Sequence, residues 1–184
     1  THAHADHVGG FDDLRRFNEL AQRHLPVYAH VDTAATLRER FAYAFVDQFP
    51  FYGGKPDLTL HEFTGGFSLF GHRIQPIPVW HGRWLVHGFR FGPLVYVTDA
   101  KTIPPASLEM MRGADILVIN ALRHRPHPTH LSIDEALAVI EEVAPRRAYL
   151  VHMTHDVSHA ATSALLPPHV ELAYDGLTVR TGDE

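Results

Sequence analysis

Cysteine is absent from all 184 residues. Disulfides and thiolate metal sites are therefore excluded, and imidazole and carboxylate are left as the side-chain metal donors. Long hydrophobic runs are missing as well. No stretch approaches the roughly eighteen apolar residues of a membrane-spanning helix, so no membrane partner is expected and a cytoplasmic location is. Basic residues are in short supply: 16 Lys and Arg stand against 21 Asp and Glu, a formal charge of −5 with histidine neutral. That balance argues against a nucleic-acid partner, while a local basic patch stays compatible with it. Repeats, low-complexity segments and linkers do not occur, and the length fits one domain over 1–184. Apolar content of 45% is enough for a core.

Histidine is what the chain has in excess, with sixteen copies. Any single one is weak evidence, so only those at ligand spacing or at strand ends carry weight. The first seven residues read Thr-His-Ala-His-Ala-Asp-His. His2, His4, Asp6 and His7 are thus candidate metal ligands within six positions. An extended backbone sends alternate side chains to one face. His2, His4 and Asp6 are expected to point the same way, with His7 brought round as the chain turns. Such donors suit zinc or manganese, with iron(II) a third candidate. The interposed Asp and the Val-Gly-Gly-Phe continuation argue against an expression tag. A ligand run normally follows a strand, so the chain is expected to be the C-terminal part of a longer one.

Downstream, Asp12 or Asp13 is expected to cap a helix reaching about His24. A short strand covers 26–29, a helix 33–45, and a Pro/Gly stretch 50–56. Strand signals follow at 58–63, 67–70 and 73–80. A hairpin over 86–91 and 94–98 turns at Gly92-Pro93. Helices are expected at 104–112 and 159–165, apolar strands at 116–119 and 148–151. Ser132-Ile-Asp-Glu135 matches a capping box opening a helix to about Val143. Strands at 170–173 and 177–180 flank the turn signal Asp175-Gly176.

Three polar residues share one context. His81, Asp99 and His152 each follow an apolar strand, where a rigid sheet aims functional groups. With the first four they make seven donors, suited to two metals of about four to six ligands each.

These residues carry a resemblance. Thr-His-Ala-His-Ala-Asp-His resembles the signature of the metallo-β-lactamase superfamily of binuclear hydrolases, and His81, Asp99 and His152 follow in its order. The resemblance implies an α+β four-layer αββα sandwich, with most of the first sheet upstream of Thr1. It implies that His2, His4 and His81 hold one divalent metal, that Asp6, His7 and His152 hold a second, and that Asp99 bridges. Val97-Thr-Asp99-Ala, Thr129-His130-Leu-Ser, His152-Met-Thr-His155 and Tyr174-Asp-Gly-Leu look like the phosphoribosyl cyclic phosphate phosphodiesterases. In that subfamily a histidine at the place of His130 is catalytic, and Asp6 joins it here as a catalytic candidate. The extra cysteine-rich metal site of many members has no cysteine to build it, and whether upstream residues and His155 would build one stays open.

The implied activity is hydrolysis of a small or cyclic phosphate ester through a metal-bound hydroxide, with His130 as proton donor to the leaving oxygen. A transfer-RNA 3′-processing endonuclease and a thioester or lactone hydrolase stay open as alternatives; a di-iron oxygen-reducing protein and a non-enzymatic binding module are disfavoured. A homodimer is a candidate assembly. Arg123 and Arg125 are phosphate-pairing candidates, though a solvated loop reads better; His124 and His127 fall in the same loop. His155 and Asp156 are candidates for supporting a ligand. Trp80 and Trp84 flank His81 and are candidates for a pocket wall or for core.

Overall fold

The computed structural model describes residues 1–46 and 54–181. The expected Pro/Gly stretch at 50–56 lies mostly outside them. The chain divides into two compact units, Thr1–Gly65 and Gly66–Glu184.

In the first unit the ligand run is extended only as far as His4, after which helix α1 (Ala5–Val8) begins. Asp6 thus stands in a helical turn and not on the alternating run expected of it, while His7 is brought round by that turn. The His4 carbonyl accepts from the amides of His7 and Val8 at 3.1 and 3.2 Å, and the Ala5 carbonyl from Gly9 at 2.7 Å. A Cβ at Gly9 would lie 2.8 Å from that Ala5 oxygen, so glycine lets the turn close.

Helix α2 (Leu14–Ala21) follows and ends at Gln22, whose φ is +48°. It stops short of His24, because a left-handed residue breaks the helical ladder. Strand β1 (Leu25–His30), helix α3 (Val31–Arg40) and strand β2 (Leu58–Phe63) then form a β-α-β crossover. The strands pair parallel from Leu25↔Leu58 to His30↔Phe63. The helix expected over 33–45 breaks at Phe41 (φ −114°, ψ 37°) and continues only as a 3-10 turn, Ala42–Phe45. Phe11, Ala29, Ala34 and Leu37 form the core of this unit, packed by Val27, Phe41 and Phe45.

The second unit carries a seven-stranded sheet in sequential order. Its members are β3 (Phe67–Leu69), β4 (His72–His81), β5 (Trp84–Phe91) and β6 (Leu94–Val97), helix α4 (Pro105–Met111), β7 (Ile116–Asn120), helix α5 (Ile133–Val143), β8 (Arg147–Val151), helix α6 (His159–Ser163) and β9 (Val170–Leu172). The first four strands are an antiparallel meander, and β6 to β9 are parallel. Strands β4 and β6 both oppose β5, so β4 runs with β6, β7 and β8. The carboxyl ends of these four strands therefore meet one edge of the sheet.

The core explains why the strands lie as they do. Val79, Val86, Val95, Val97, Leu117, Ile119 and Leu150 are fully buried beside Met111, Ala136 and Ile140. The β7 run Ile-Leu-Val-Ile and its neighbour β8 are apolar almost throughout, as parallel strands covered by crossover helices require. In α5, Ile133, Ala136, Ile140 and Val143 form the buried stripe. Both halves of its capping box are made: Ser132 Oγ accepts from the Glu135 amide at 3.3 Å, and Glu135 Oε2 accepts from the Ser132 amide at 2.8 Å.

At the tail, the turn at Asp175-Gly176 closes through the Leu177 amide and Tyr174 carbonyl at 3.1 Å. The expected strand at 177–180 is not formed; those residues join no ladder among the described residues. Among the described residues no helix is long and apolar enough to cross a membrane.

Candidate metal centre

Each unit carries its own cluster of donors. In the first, His2 Nε2 and His4 Nδ1 lie 2.8 Å apart. Thr1 Oγ1 sits 3.1 Å from His2 Nδ1 and 3.3 Å from His7 Nδ1. One hydroxyl thus anchors the second nitrogen of two imidazoles, the kind of support that orients metal-binding histidine. His7 Nε2 lies 3.6 Å from Asp6 Oδ2. The Arg40 guanidinium bonds the Ala3 carbonyl and ties the run to the end of α3.

In the second unit the sheet edge gathers His81, Asp99, His130 and His152. The register places Val97 beside Ile119 and Ile119 beside Leu150. Two residues further on each strand, Asp99, Ala121 and His152 share one level. Asp99 and His152 both hold positive φ, +59° and +60°. A left-handed residue costs roughly 1–2 kcal/mol for a side chain with a Cβ, and such strain persists where surroundings over-determine it, above all at functional sites. Two strained donors at one level of one sheet edge are a stronger signal than either alone. Asp99 is 1% exposed. Its Oδ1 accepts from Thr98 Oγ1 at 2.9 Å and lies 3.2 Å from His152 Nε2.

His81, the last residue of β4, donates Nδ1–H to the Thr129 carbonyl at 2.7 Å. That bond fixes its tautomer and leaves the lone pair on Nε2. The loop carrying Thr129 packs on the β4–β5 hairpin tip. Gly82 there has φ +62°, and a Cβ on it would meet Thr129 Cγ2 at 2.8 Å. The spacing does not predict this two-residue hairpin, although glycine at the first loop position is its signal. The register pairs His81 with Trp84 and Trp80 with Leu85. Cross-strand partners share a face, so Trp84 stands on the face of His81 and Trp80 on the other. Both indoles are substantially exposed, Trp84 at 58%.

His130 sits between the two sheet-edge histidines. Its ring centroid is 4.5 Å from that of His81 and 5.0 Å from that of His152, and its Nε2 is 3.6 Å from Asp99 Oδ2. Its Nδ1 lies 3.0 Å from Thr129 Oγ1 and 3.1 Å from His127 Nδ1. The Thr129 amide donates to the same His127 nitrogen at 3.3 Å. His127 Nδ1 is therefore the acceptor, and His130 Nδ1 carries the hydrogen. Burial, then the charges of His130, Arg123, Lys101 and His81, hold His127 below the usual imidazole pKa, which keeps it neutral for that role. The spacing places His127 in the loop, and nothing in it points to His130.

Other candidates fall elsewhere. The Arg123 guanidinium folds back on the Arg125 and Pro126 carbonyls at 3.3 and 3.1 Å. Arg125 and His155 both reach Asp156, and the His155 side chain is 95% exposed. His124 Nε2 lies 3.2 Å from Thr162 Oγ1. These residues structure the loops around 125 and 156.

A metal fits the donors of each unit. Two ligand atoms on a tetrahedral ion with bonds of about 2.0–2.1 Å lie about 3.3 Å apart. The 2.8 Å between His2 and His4 and the 3.2 Å between His152 and Asp99 are near that spacing. All donors are nitrogen or oxygen, a set suited to zinc, manganese or iron.

Comparison with known proteins gives the class. Residues 1–153 match the family described as Beta-lactamase superfamily domain. The chain belongs to the metallo-β-lactamase superfamily, and its fold is that of metal-dependent hydrolases. It is similar to a solved diphosphatase of the PhnP family, at 37% identity and a TM-score of 0.89, over 99% of this chain and 70% of that one. This fits the resemblance to the cyclic phosphate phosphodiesterases. The metallo-β-lactamase fold protein YhfI from Bacillus subtilis shares the fold at 17% identity and a TM-score of 0.75, over 96% of this chain and 74% of that one. A protein named octanoyltransferase from Porphyromonas gingivalis is 35% identical over 181 residues. The match covers 96% of this chain but spans only 36% of that relative.

Proposed function

We propose that the protein is a binuclear phosphodiesterase acting on a small or cyclic phosphate ester. In this reading His2, His4 and His81 would hold one divalent metal, Asp6, His7 and His152 would hold a second, and Asp99 would serve both. When bound, such metals act as Lewis acids on a phosphoryl oxygen and lower the pKa of water. The chain's own residues do the rest. Asp6 supports catalysis from its helical turn, as a second carboxylate beside His7 Nε2. His130 is the proton donor: its Nδ1 hydrogen is engaged by His127, so the exchangeable proton is at Nε2, the nitrogen facing Asp99. As an imidazolium it can give that proton to a departing ester oxygen. The single observation that carries this reading is His130, wedged between His81 and His152 with Nε2 3.6 Å from Asp99 Oδ2. The similarity to a PhnP-family diphosphatase supports it. Trp84, on the face of His81, is the proposed wall of the substrate pocket.

A second reading, acyl thioester hydrolysis, draws on the similarity to the Porphyromonas octanoyltransferase. The match spans about a third of that protein, which leaves its name to be explained by the remainder. The test is metal analysis of the purified protein beside turnover of bis-p-nitrophenyl phosphate, a cyclic ribose phosphate, an acyl thioester and a lactone. Two metals per chain with phosphodiester turnover are expected. No metal, or turnover of the thioester alone, would overturn the phosphodiesterase reading. The partner is a small molecule in this proposal, and a homodimer is its candidate assembly, checked by light scattering.

A further inference from the structure

The deepest polar side chain beside the sheet edge is one that the proposed chemistry does not use. Asn120, the last residue of β7, is 0% exposed. Its amide makes two hydrogen bonds, both to one residue. Oδ1 accepts from the Ala100 amide at 2.7 Å, and Nδ2 donates to the Ala100 carbonyl at 3.0 Å. The side chain copies the pairing of a backbone strand where the strand has ended. The Ala100 carbonyl accepts a further bond from the Leu131 amide at 2.9 Å. Both of its lone pairs are thereby engaged.

Ala100 follows Asp99 and Leu131 follows His130. The next residue, Lys101, bonds Glu135 of the α5 cap at 2.6 Å. The buried amide thus holds the residue after Asp99, and the carbonyl of that residue in turn holds the residue after His130. Asp99 needs such a clamp, because its φ of +59° is a conformation an aspartate leaves unless held. An asparagine suits the place because it offers one donor and one acceptor in a planar group without charge.

We propose that Asn120 is a positioning residue that holds Asp99 in its left-handed conformation and sets the distance from Asp99 to His130. This rests on the proposed roles of those two residues. Loss of Asn120 removes the acceptor of the Ala100 amide and one of the two donors to its carbonyl. Asp99 then relaxes toward extended backbone, and the Ala100 carbonyl that receives the Leu131 amide shifts with it.

The test compares Asn120→Ala and Asn120→Asp with wild type, and with Ser107→Ala as a control. Ser107 is another buried side chain, donating to the Pro78 carbonyl at 2.5 Å, on α4. Three quantities are read: hydrogen exchange of the 98–101 segment in metal-free protein, metal affinity by chelator competition, and kcat against KM. Asn120→Ala is expected to raise exchange at 98–101, to weaken metal binding and to lower kcat by about 10–100-fold, with KM little changed. Ser107→Ala is expected to lower thermal stability alone. Asn120→Asp keeps the acceptor but donates to the Ala100 carbonyl only when protonated, so its kcat deficit should widen as pH rises. It also decides the matter where Asn120→Ala fails to fold. Metal affinity and kcat equal to wild type in Asn120→Asp at every pH would overturn the proposal. So would a fall no larger than that of Ser107→Ala per folded molecule. Wild-type protein that neither binds metal nor turns over phosphodiester would instead remove the functional reading on which the proposal stands.

Discussion

His130 is the residue whose role can be separated most cleanly from metal binding. It has no place in the proposed ligand set, and its Nε2 faces the Asp99 carboxylate. His130→Ala is expected to keep both metals while slowing hydrolysis by about 10²–10⁴-fold, the range for losing a positioned acid or base. The loss should be large for an alkyl or ribosyl ester. It should be small for p-nitrophenolate, which departs without a proton. An equal loss on both substrates would make His130 a binding residue instead. Asp99 and His127 give the second contrast. Asp99→Ala removes the proposed bridge and should abolish metal occupancy and turnover together. His127→Ala removes only the acceptor for His130 Nδ1 and should slow turnover about tenfold with metals retained. Metal analysis beside kcat distinguishes them, and metal loss in His127→Ala would place that residue in the coordination sphere. The seven proposed donors are picked out in the sequence by side-chain type, ligand spacing and strand ends. His127 and Asn120 were not, since their importance lies in which backbone groups and imidazoles the loops bring to them.

Among the elements, α5 was the most legible. Its capping box is a local pattern, and both hydrogen bonds form as the spacing demands. The misjudged elements were those whose limits depend on packing or on a single dihedral. Gln22 ends α2 by turning left-handed, Phe41 splits the helix after β1, and residues 177–180 had strand composition but no neighbouring strand to join. The spacing puts Asp6 on an extended run because it cannot report that a turn begins after His4. The α5 cap also gives a test of electrostatics. Burial alone would raise the Glu135 pKa, but hydrogen bonds from Lys101 and Ser132 outweigh it and hold the carboxyl below its ordinary range. A depressed carboxylate stabilises the fold above its unfolded pKa, about 4.3, and that stability is lost as pH falls through the folded value. The stability gap between wild type and Glu135→Gln should thus be full at pH 7 and close below about pH 4. Urea unfolding of the metal-free proteins at pH 7 and pH 3 measures it. A gap unchanged at pH 3 would show that the glutamate acts through packing and not through charge.

On the scale of the whole molecule, the proposed ligand set draws three imidazoles and a carboxylate from residues 2–7 and three donors from the sheet edge of the second unit. A bound metal that the unfolded chain does not hold stabilises the fold by RT ln(1 + [L]/Kd), about 2.7 kcal/mol at a hundredfold excess over Kd. For a chain of this size about 1 kcal/mol moves the melting temperature by roughly 2–4 °C. Chelation of the loaded protein is therefore expected to lower the melting temperature by roughly 5–10 °C, and added zinc or manganese to restore it in a concentration-dependent way. His2→Ala and His152→Ala lie in different units and in the two different proposed metal sets. Each should lose part of the metal-dependent shift while leaving the metal-free melting temperature near that of wild type. Calorimetry of the three proteins with and without metal makes the measurement. A full shift in His2→Ala would remove the first residues from the ligand set, and a full shift in His152→Ala would remove the sheet edge from the second metal. No shift in wild type would leave the donors as a hydrogen-bonded cluster and the superfamily fold without its metals.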